Sequence, residues 1–212
     1  MFGVEHRQYL ILGIGTDVGK TFLVQNLCKI FQNRIHVIKP VVSGHLDEDL
    51  NSDSAKILSS LGILISKKNL DSISPWRFKS AISPHLASKA EGKKISFSEV
   101  KKFCSKKISI AEKQNKILLI EAAGGVMTPI TDKKTFLDLA EELKIPVLLV
   151  SADYLGSISH TLCAVEALKS RKVLVEKIIV NDSVTTHEIL IKTISKLSDI
   201  PIVSMRMFRG HL

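Results

Sequence analysis

The sequence predicts an α/β fold of the P-loop NTPase-like kind, a mostly parallel sheet with helices on both faces. Three observations lead there. Short apolar runs alternate with amphipathic helical segments, as in βαβ units. The runs are apolar throughout, as strands covered on both faces are. The first run ends in a glycine-rich loop that closes on Gly19-Lys20-Thr21.

The elements follow in order. Residues 9–12 (Tyr-Leu-Ile-Leu) are the first strand, stopped by Gly13-Ile-Gly15. The next segment places Leu23, Leu27, Ile30 and Phe31 on one helical face. Residues 35–38 are a second strand, expected beside the first and ended by Lys39-Pro40. Asn51-Ser-Asp-Ser supplies short polar side chains for the free amides of a helix start, and that helix runs to Gly62. The stretch 63–95 is less regular, although Ser83-Pro84-His85 opens a helix with Pro84 at its first position. Residues 97–114 are helix, and 116–121 are a strand ending at Glu121 before Ala-Ala-Gly-Gly. Helix over 135–143, strand over 146–150, helix over 157–168 and strand over 177–180 complete the alternation. A helix over 186–197 and a final strand over 200–203 close it.

With 212 residues, no repeat, no low-complexity tract and no separating linker, the chain is expected to be a single P-loop α/β domain over 1–212. That length buries a core without staples. No apolar run approaches bilayer length, and the N-terminus lacks the pattern of a secretory signal. Cys28, Cys104 and Cys163 are odd in number and widely spaced, which reads as reduced, mostly buried thiols in a cytoplasmic protein. The histidines show no pair at zinc spacing. The formal charge of +9 is concentrated at Lys67-Lys68 and over 93–107. The second stretch alternates lysines with Ile, Phe and Val as a solvated amphipathic helix does, and aromatics do not interleave with the basic residues. No nucleic-acid partner is expected, and no membrane.

In parallel sheets of this kind ligands bind beyond the carboxyl ends of the strands. The residues that matter most are therefore 13–21, 39–43, 121–125, 151–157 and Asn181. In the first loop, glycines let backbone amides turn inward around a phosphate, and the helix start adds free amides and a positive dipole end. Lys20 would neutralise the β/γ phosphates of ATP, and the Thr21 hydroxyl would ligate magnesium. The usual pattern needs glycine where Ile14 stands; Gly13 lies one residue back, so the loop is lengthened. A dinucleotide reading fails because Val18 occupies the third glycine position and Lys39 ends the second strand where an acidic residue belongs.

Glu121 ends an apolar strand, where phosphate-loop proteins carry a magnesium carboxylate; the lesser reading, taken alone, is an ordinary strand-end charge. Asp53 is either a second such carboxylate or a helix-start residue favoured by the dipole. Lys39 is either a surface lysine at a strand end or a second ammonium beside Lys20 that stabilises charge in phosphoryl transfer.

Eight motifs in order raise these residues above their isolated readings. They are Gly-Thr-Asp-Val-Gly-Lys-Thr at 15–21, Lys-Pro-Val-Val-Ser-Gly at 39–44, Asn-Ser-Asp at 51–53, Ser-Pro-His at 83–85, Glu-Ala-Ala-Gly-Gly at 121–125, Thr-Pro-Ile at 128–130, Leu-Gly-Ser-Ile at 155–158 and Val-Asn-Asp at 180–182. The set resembles the dethiobiotin synthetases across roughly residues 9–182. The resemblance implies ATP- and magnesium-dependent closure of 7,8-diaminononanoate with CO2 (or bicarbonate) to dethiobiotin, with ADP and phosphate released. It implies that Lys20 and Lys39 stabilise carbamate and phosphoryl group, that Thr16 and Ser43 contact the diamine or carbamate, and that Thr21, Asp53 and Glu121 hold magnesium. Nucleotide contacts are implied at Asp17, Val18, Gly19, Lys20, Thr21, Phe22, Asp53, Glu121, Ala122, Ala123, Gly124, Asn181 and Asp182, with Asn181 reading the adenine. It further implies a homodimer in which the 155–160 segment meets the substrate carboxylate across the interface.

The chain departs from the family pattern at Ile14 and Gly15, at Asp17, at Ala122 and at Tyr154, which replaces a lysine seen in some members. The charged groups all remain. A related amide-forming ligase would carry a glutaminase domain with a nucleophilic Cys and His, for which this chain is too short. A partition-type ATPase switch would share loop and sheet, but it usually carries a further lysine where Gly15 and Thr16 stand, and it gives no reason for Lys39-Pro40 with Ser43.

Overall fold

The computed structural model describes residues 7–46, 49–181 and 187–208. In chain order the elements are β1 (Gln8–Gly13), α1 (Lys20–Phe31), β2 (Ile35–Ile38), β3 (Val41–Ser43), α2 (Asp53–Ser60), α3 (Lys67–Ile73), β4 (Trp76–Phe78), α4 (Pro84–Ala90), α5 (Phe97–Lys113), β5 (Ile117–Glu121), α6 (Phe136–Leu143), β6 (Val147–Ala152), α7 (Ser157–Ser170), β7 (Val175–Asn181), α8 (His187–Ser198) and β8 (Ile202–Ser204).

Local chemistry sets several of these boundaries. Ser52 caps α2 by accepting from the Ala55 amide, and Pro84 occupies the first turn of α4, where no amide is needed. Thr135 and Asp138 form a reciprocal capping box at the start of α6. On α1 the buried face differs from the expected one. Leu23, Val24, Leu27 and Cys28 are buried, while Ile30 is exposed and Phe31 only partly covered. α2 packs on α1.

The main sheet runs β2-β5-β1-β6-β7-β8, and every pairing is parallel. The second strand is therefore not beside the first: β5 lies between them, with Ile38 level with Ile120 and Ile11 level with Glu121. The α1 crossover skips one place, and the later strand returns to fill it; nothing local to β2 encodes that return. Crossovers are right-handed as a rule, so the leftward α1 connection and the rightward α5, α6, α7 and α8 connections put helices on opposite faces. Leu10, Ile11, Leu12, Leu118, Leu119, Ile120, Leu148 and Leu149 are wholly buried between those layers, each contributing about 1.5–3 kcal/mol by burial.

The less regular stretch contains α3 and β4, and β4 pairs with the earlier β3 in a second, two-stranded parallel sheet; the sequence pattern indicated none of the three. Each strand has three residues, too few to show a period. Among the described residues no helix is long and apolar enough to cross a membrane. Cys28 and Cys104 are buried, and Cys163 is exposed.

Candidate active site

Strand register brings the reactive side chains together. Because Ile38 is level with Ile120, the next residues, Lys39 and Glu121, leave neighbouring strands at the same height. One strand further on, β1 ends at Gly13, level with Val150, and runs into the loop that starts α1.

That loop is tightly determined. Asp17 and Gly19 both adopt positive φ, at 57° and 102°, and Gly19 is the N-cap of α1. A Cβ on Gly13 would lie 2.8 Å from Val18 and 2.9 Å from Lys20 Nζ, and one on Gly19 would overlap the Asn181 carboxamide. Only glycine fits either place. Lys20 is 6% exposed, and its Nζ donates to the Gly15 carbonyl at 2.7 Å. Burial, only partly offset by the Glu121 carboxylate and reinforced by Lys39, lowers the Lys20 ammonium to a pKa of about 8.

Lys39 is 4% exposed. Its Nζ donates to Glu121 Oε1 at 2.7 Å, to Asp53, and to Thr21 Oγ1 at 3.5 Å. Burial works against its charge, but Glu121 and Asp53 together overcome burial and hold the ammonium above its usual pKa. Asp53 is likewise held below the usual carboxylate range: burial opposes the charged form, and Lys39 outweighs it. Thr21 Oγ1 donates to Glu121 Oε1 at 2.6 Å. Glu121 is fully buried, and its other oxygen, Oε2, has no hydrogen-bond partner. An unpartnered buried carboxylate oxygen beside a hydroxyl and a second carboxylate is a donor set that suits a hard divalent cation such as magnesium.

A cavity of about 670 Å3 opens over these groups. Of the residues expected at the site, Thr16, Asp17, Gly19, Lys20, Thr21, Phe22, Lys39, Ser43, Asp53, Glu121, Ala123 and Gly124 line it. Ser43 Oγ is buried there without a partner. Val18 and Ala122 instead turn their side chains into the hydrophobic core. Asn181 stands outside the cavity lining, packed against Gly19 at the end of β7. Asp182 lies outside the described residues. Of the 155–160 segment, residues 155–159 form a separate apolar depression with Tyr154, Leu162, Cys163 and Leu190. Sequence reasoning had given no role to Thr128, Ile82 or Val42, which also line the cavity. For Thr128 a signal existed: a hydroxyl three residues after a Gly-Gly pair.

Comparison with known proteins gives the family. A family model described as an AAA domain matches residues 7–205. The ATP-dependent dethiobiotin synthetase BioD of Caulobacter sp. (strain K31) is 36% identical over 183 residues, covering 84% of this chain and 77% of that protein. The chain belongs to the dethiobiotin synthetase family. It is a ligase of that family, whose task lies in biotin biosynthesis. The synthetase of the same name from Legionella pneumophila (strain Paris) is 35% identical over 170 residues, 79% of this chain and 76% of that protein. Among solved structures, the MinC:MinD cell division protein complex of Aquifex aeolicus aligns with a TM-score of 0.53 at 16% identity, covering 94% of this chain and 81% of that one. A ParA family ATPase from Chlorobium tepidum TLS aligns at 0.50, also at 16%, covering 94% and 84%. At that identity they share a phosphate-loop α/β fold with the synthetase family, and the likeness goes no further.

Proposed function

We propose that the chain uses ATP to carboxylate 7,8-diaminononanoate and close it to dethiobiotin. One observation carries the reading: two buried ammonium groups, Lys20 and Lys39, and two carboxylates, Asp53 and Glu121, converge on one cavity that also holds the unpartnered Ser43 hydroxyl.

The chemistry assigned to these residues follows from charge. A neutral amine of the substrate attacks CO2, giving a carbamate and releasing a proton. A pocket with two ammonium groups favours the neutral amine by like-charge repulsion and the carbamate by attraction. The carbamate oxygen then attacks the γ-phosphorus of ATP, and ADP leaves. The second amine attacks the carbonyl carbon of the resulting mixed anhydride, closing the five-membered urea, expelling phosphate and releasing its proton. Lys20, at the phosphate loop, and Lys39, held between Asp53 and Glu121, stabilise the charge that moves between carbamate and phosphoryl group. Thr16 and Ser43 orient the diamine or carbamate, so that the reacting atoms meet in line. Thr21, Asp53 and Glu121 would hold magnesium, which supplies Lewis-acid polarisation of the phosphates when bound. Asn181, packed on Gly19, reads the adenine.

We also read the chain as a homodimer, with the apolar depression around Leu155 and Leu190 as the surface a second copy covers. Three cysteines without a disulfide fit a reducing compartment such as the cytoplasm.

The deciding experiment incubates purified protein with the diamine, bicarbonate, magnesium and ATP, and looks for dethiobiotin by mass. Dethiobiotin formed in step with phosphate release supports the assignment. Phosphate release indifferent to the diamine favours a nucleotide switch instead.

A further inference from the structure

The proposed chemistry leaves Thr128 unused, yet it sits at a junction. Its Oγ1 accepts from the Gly125 amide at 2.8 Å, and its own amide donates to the Gly125 carbonyl at 3.0 Å. The two bonds make a closed turn over 125–128. Gly124, at φ +66°, leaves no space for a Cβ because the Thr128 hydroxyl already lies there.

This turn is gripped from both sides. Toward the phosphate loop, the Val126 amide donates to the Gly13 carbonyl at 3.1 Å. A Cβ on Gly125 would stand 3.2 Å from the Ile14 carbonyl oxygen, so the two backbones are in close contact. Toward the core, the Thr128 carbonyl accepts from the Phe136 amide at 3.1 Å, and Phe136 is wholly buried at the first turn of α6. Pro129 pairs with Thr135, whose capping box fixes that helix start. A rigid line therefore runs from α6 through the Thr128 hydroxyl to the carbonyls of Gly13 and Ile14.

We propose that Thr128 is a positioning residue for the nucleotide: its hydroxyl locks the turn after Glu121 against the phosphate loop and so fixes the loop amides that receive the phosphates. The inference rests on the ATP-dependent reading above. It differs from a general packing role, because a methyl in place of the hydroxyl fills the same volume and leaves the Gly125 amide without its acceptor.

The test compares wild type with Thr128→Val and Thr128→Ser. It measures the Kd of a non-hydrolysable ATP analogue with magnesium, the KM for ATP and for the diamine, and hydrogen exchange at the Gly125 and Val126 amides. Thr128→Val is expected to weaken analogue binding and raise the ATP KM about five- to tenfold, the scale of one hydrogen bond left unmade. Its diamine KM should stay within about twofold, its Gly125 amide should exchange faster, and Thr128→Ser should restore all three. If valine abolishes cooperative melting, the smaller Thr128→Ala takes its place in the same comparison. Unchanged ATP affinity in the hydroxyl-free variant overturns the proposal, as does a loss that serine does not rescue. Wild-type protein that makes no dethiobiotin, while the valine variant still loses analogue affinity, refutes the reaction and leaves the positioning role standing.

Discussion

Raising the pH from 7 to 9 is expected to weaken nucleotide binding about tenfold while making the free protein slightly more stable. The group responsible is Lys20, whose ammonium burial lowers to a pKa of about 8. If only the charged form receives the phosphates, apparent affinity falls by the factor 1 + 10^(pH − 8). That factor is about 1.1 at pH 7 and about 11 at pH 9, a difference of about 1.4 kcal/mol. The folded pKa lies below the unfolded value of 10.5, so between pH 8 and 10.5 the unfolded chain binds more protons, and stability rises with pH. The gain between pH 7 and 9 is roughly 1 kcal/mol, and Lys20 is too buried for solvent screening to erase it. Lys39, held above its usual pKa by Glu121 and Asp53 against burial, keeps its charge across the window. Calorimetric titration with an ATP analogue in buffers of different ionisation enthalpy reads both affinity and proton uptake. A flat affinity with no proton taken up would refute the reasoning, and so would the same slope in Lys20→Arg, which keeps its charge throughout.

Three further outcomes are expected. Lys39→Ala should retain analogue binding within about threefold but lower dethiobiotin formation at least about 100-fold, measured by mass-detected turnover; full turnover would remove Lys39 from the mechanism. Gly19→Ala forces a side chain into positive φ and onto Asn181, so it should cost at least about 1–2 kcal/mol, or about 2–8 °C in Tm, and analogue binding should be lost with it. A thiol reagent should reach Cys28 and Cys104 only after denaturation, because burial pushes both thiols up to about 12; rapid reaction of either under native conditions would contradict the packing of α1 and α5.

Much of this was legible in the residues. Every strand of the main sheet announced itself as a short apolar run, because a strand covered on both faces has no polar side to hide it. The phosphate loop, Pro84 at a helix start and the short polar residues that cap α2 are local signals, and the chain honours them locally. What local signals do not carry is neighbourhood. The expected placing of β2 beside β1 failed because β5, eighty residues later, takes that place. Lys39 reaches the phosphate loop all the same, through Glu121 on the intervening strand and Thr21 on α1. β3 and β4 carry no such signal, because three residues show no alternation and two helices, α2 and α3, separate the partners in the chain. At Val18 and Ala122 the motif position points to the nucleotide while the apolar side chain packs in the core, which leaves the backbone of each to face a ligand.

The parallel register through β2, β5 and β1 has a consequence for how this chain tolerates change in length. Removing one residue from β5 would turn Glu121 to the opposite face of the sheet and carry the Gly124–Gly125 turn away from Gly13, dismantling both grips at once. Adding residues at the Gly62 or Gly92 turns, where a Cβ would meet nothing within 4 Å, disturbs neither. Natural or engineered insertions should therefore accumulate at those outer bends, and a gap inside 117–121 should mark a relative that has abandoned this chemistry.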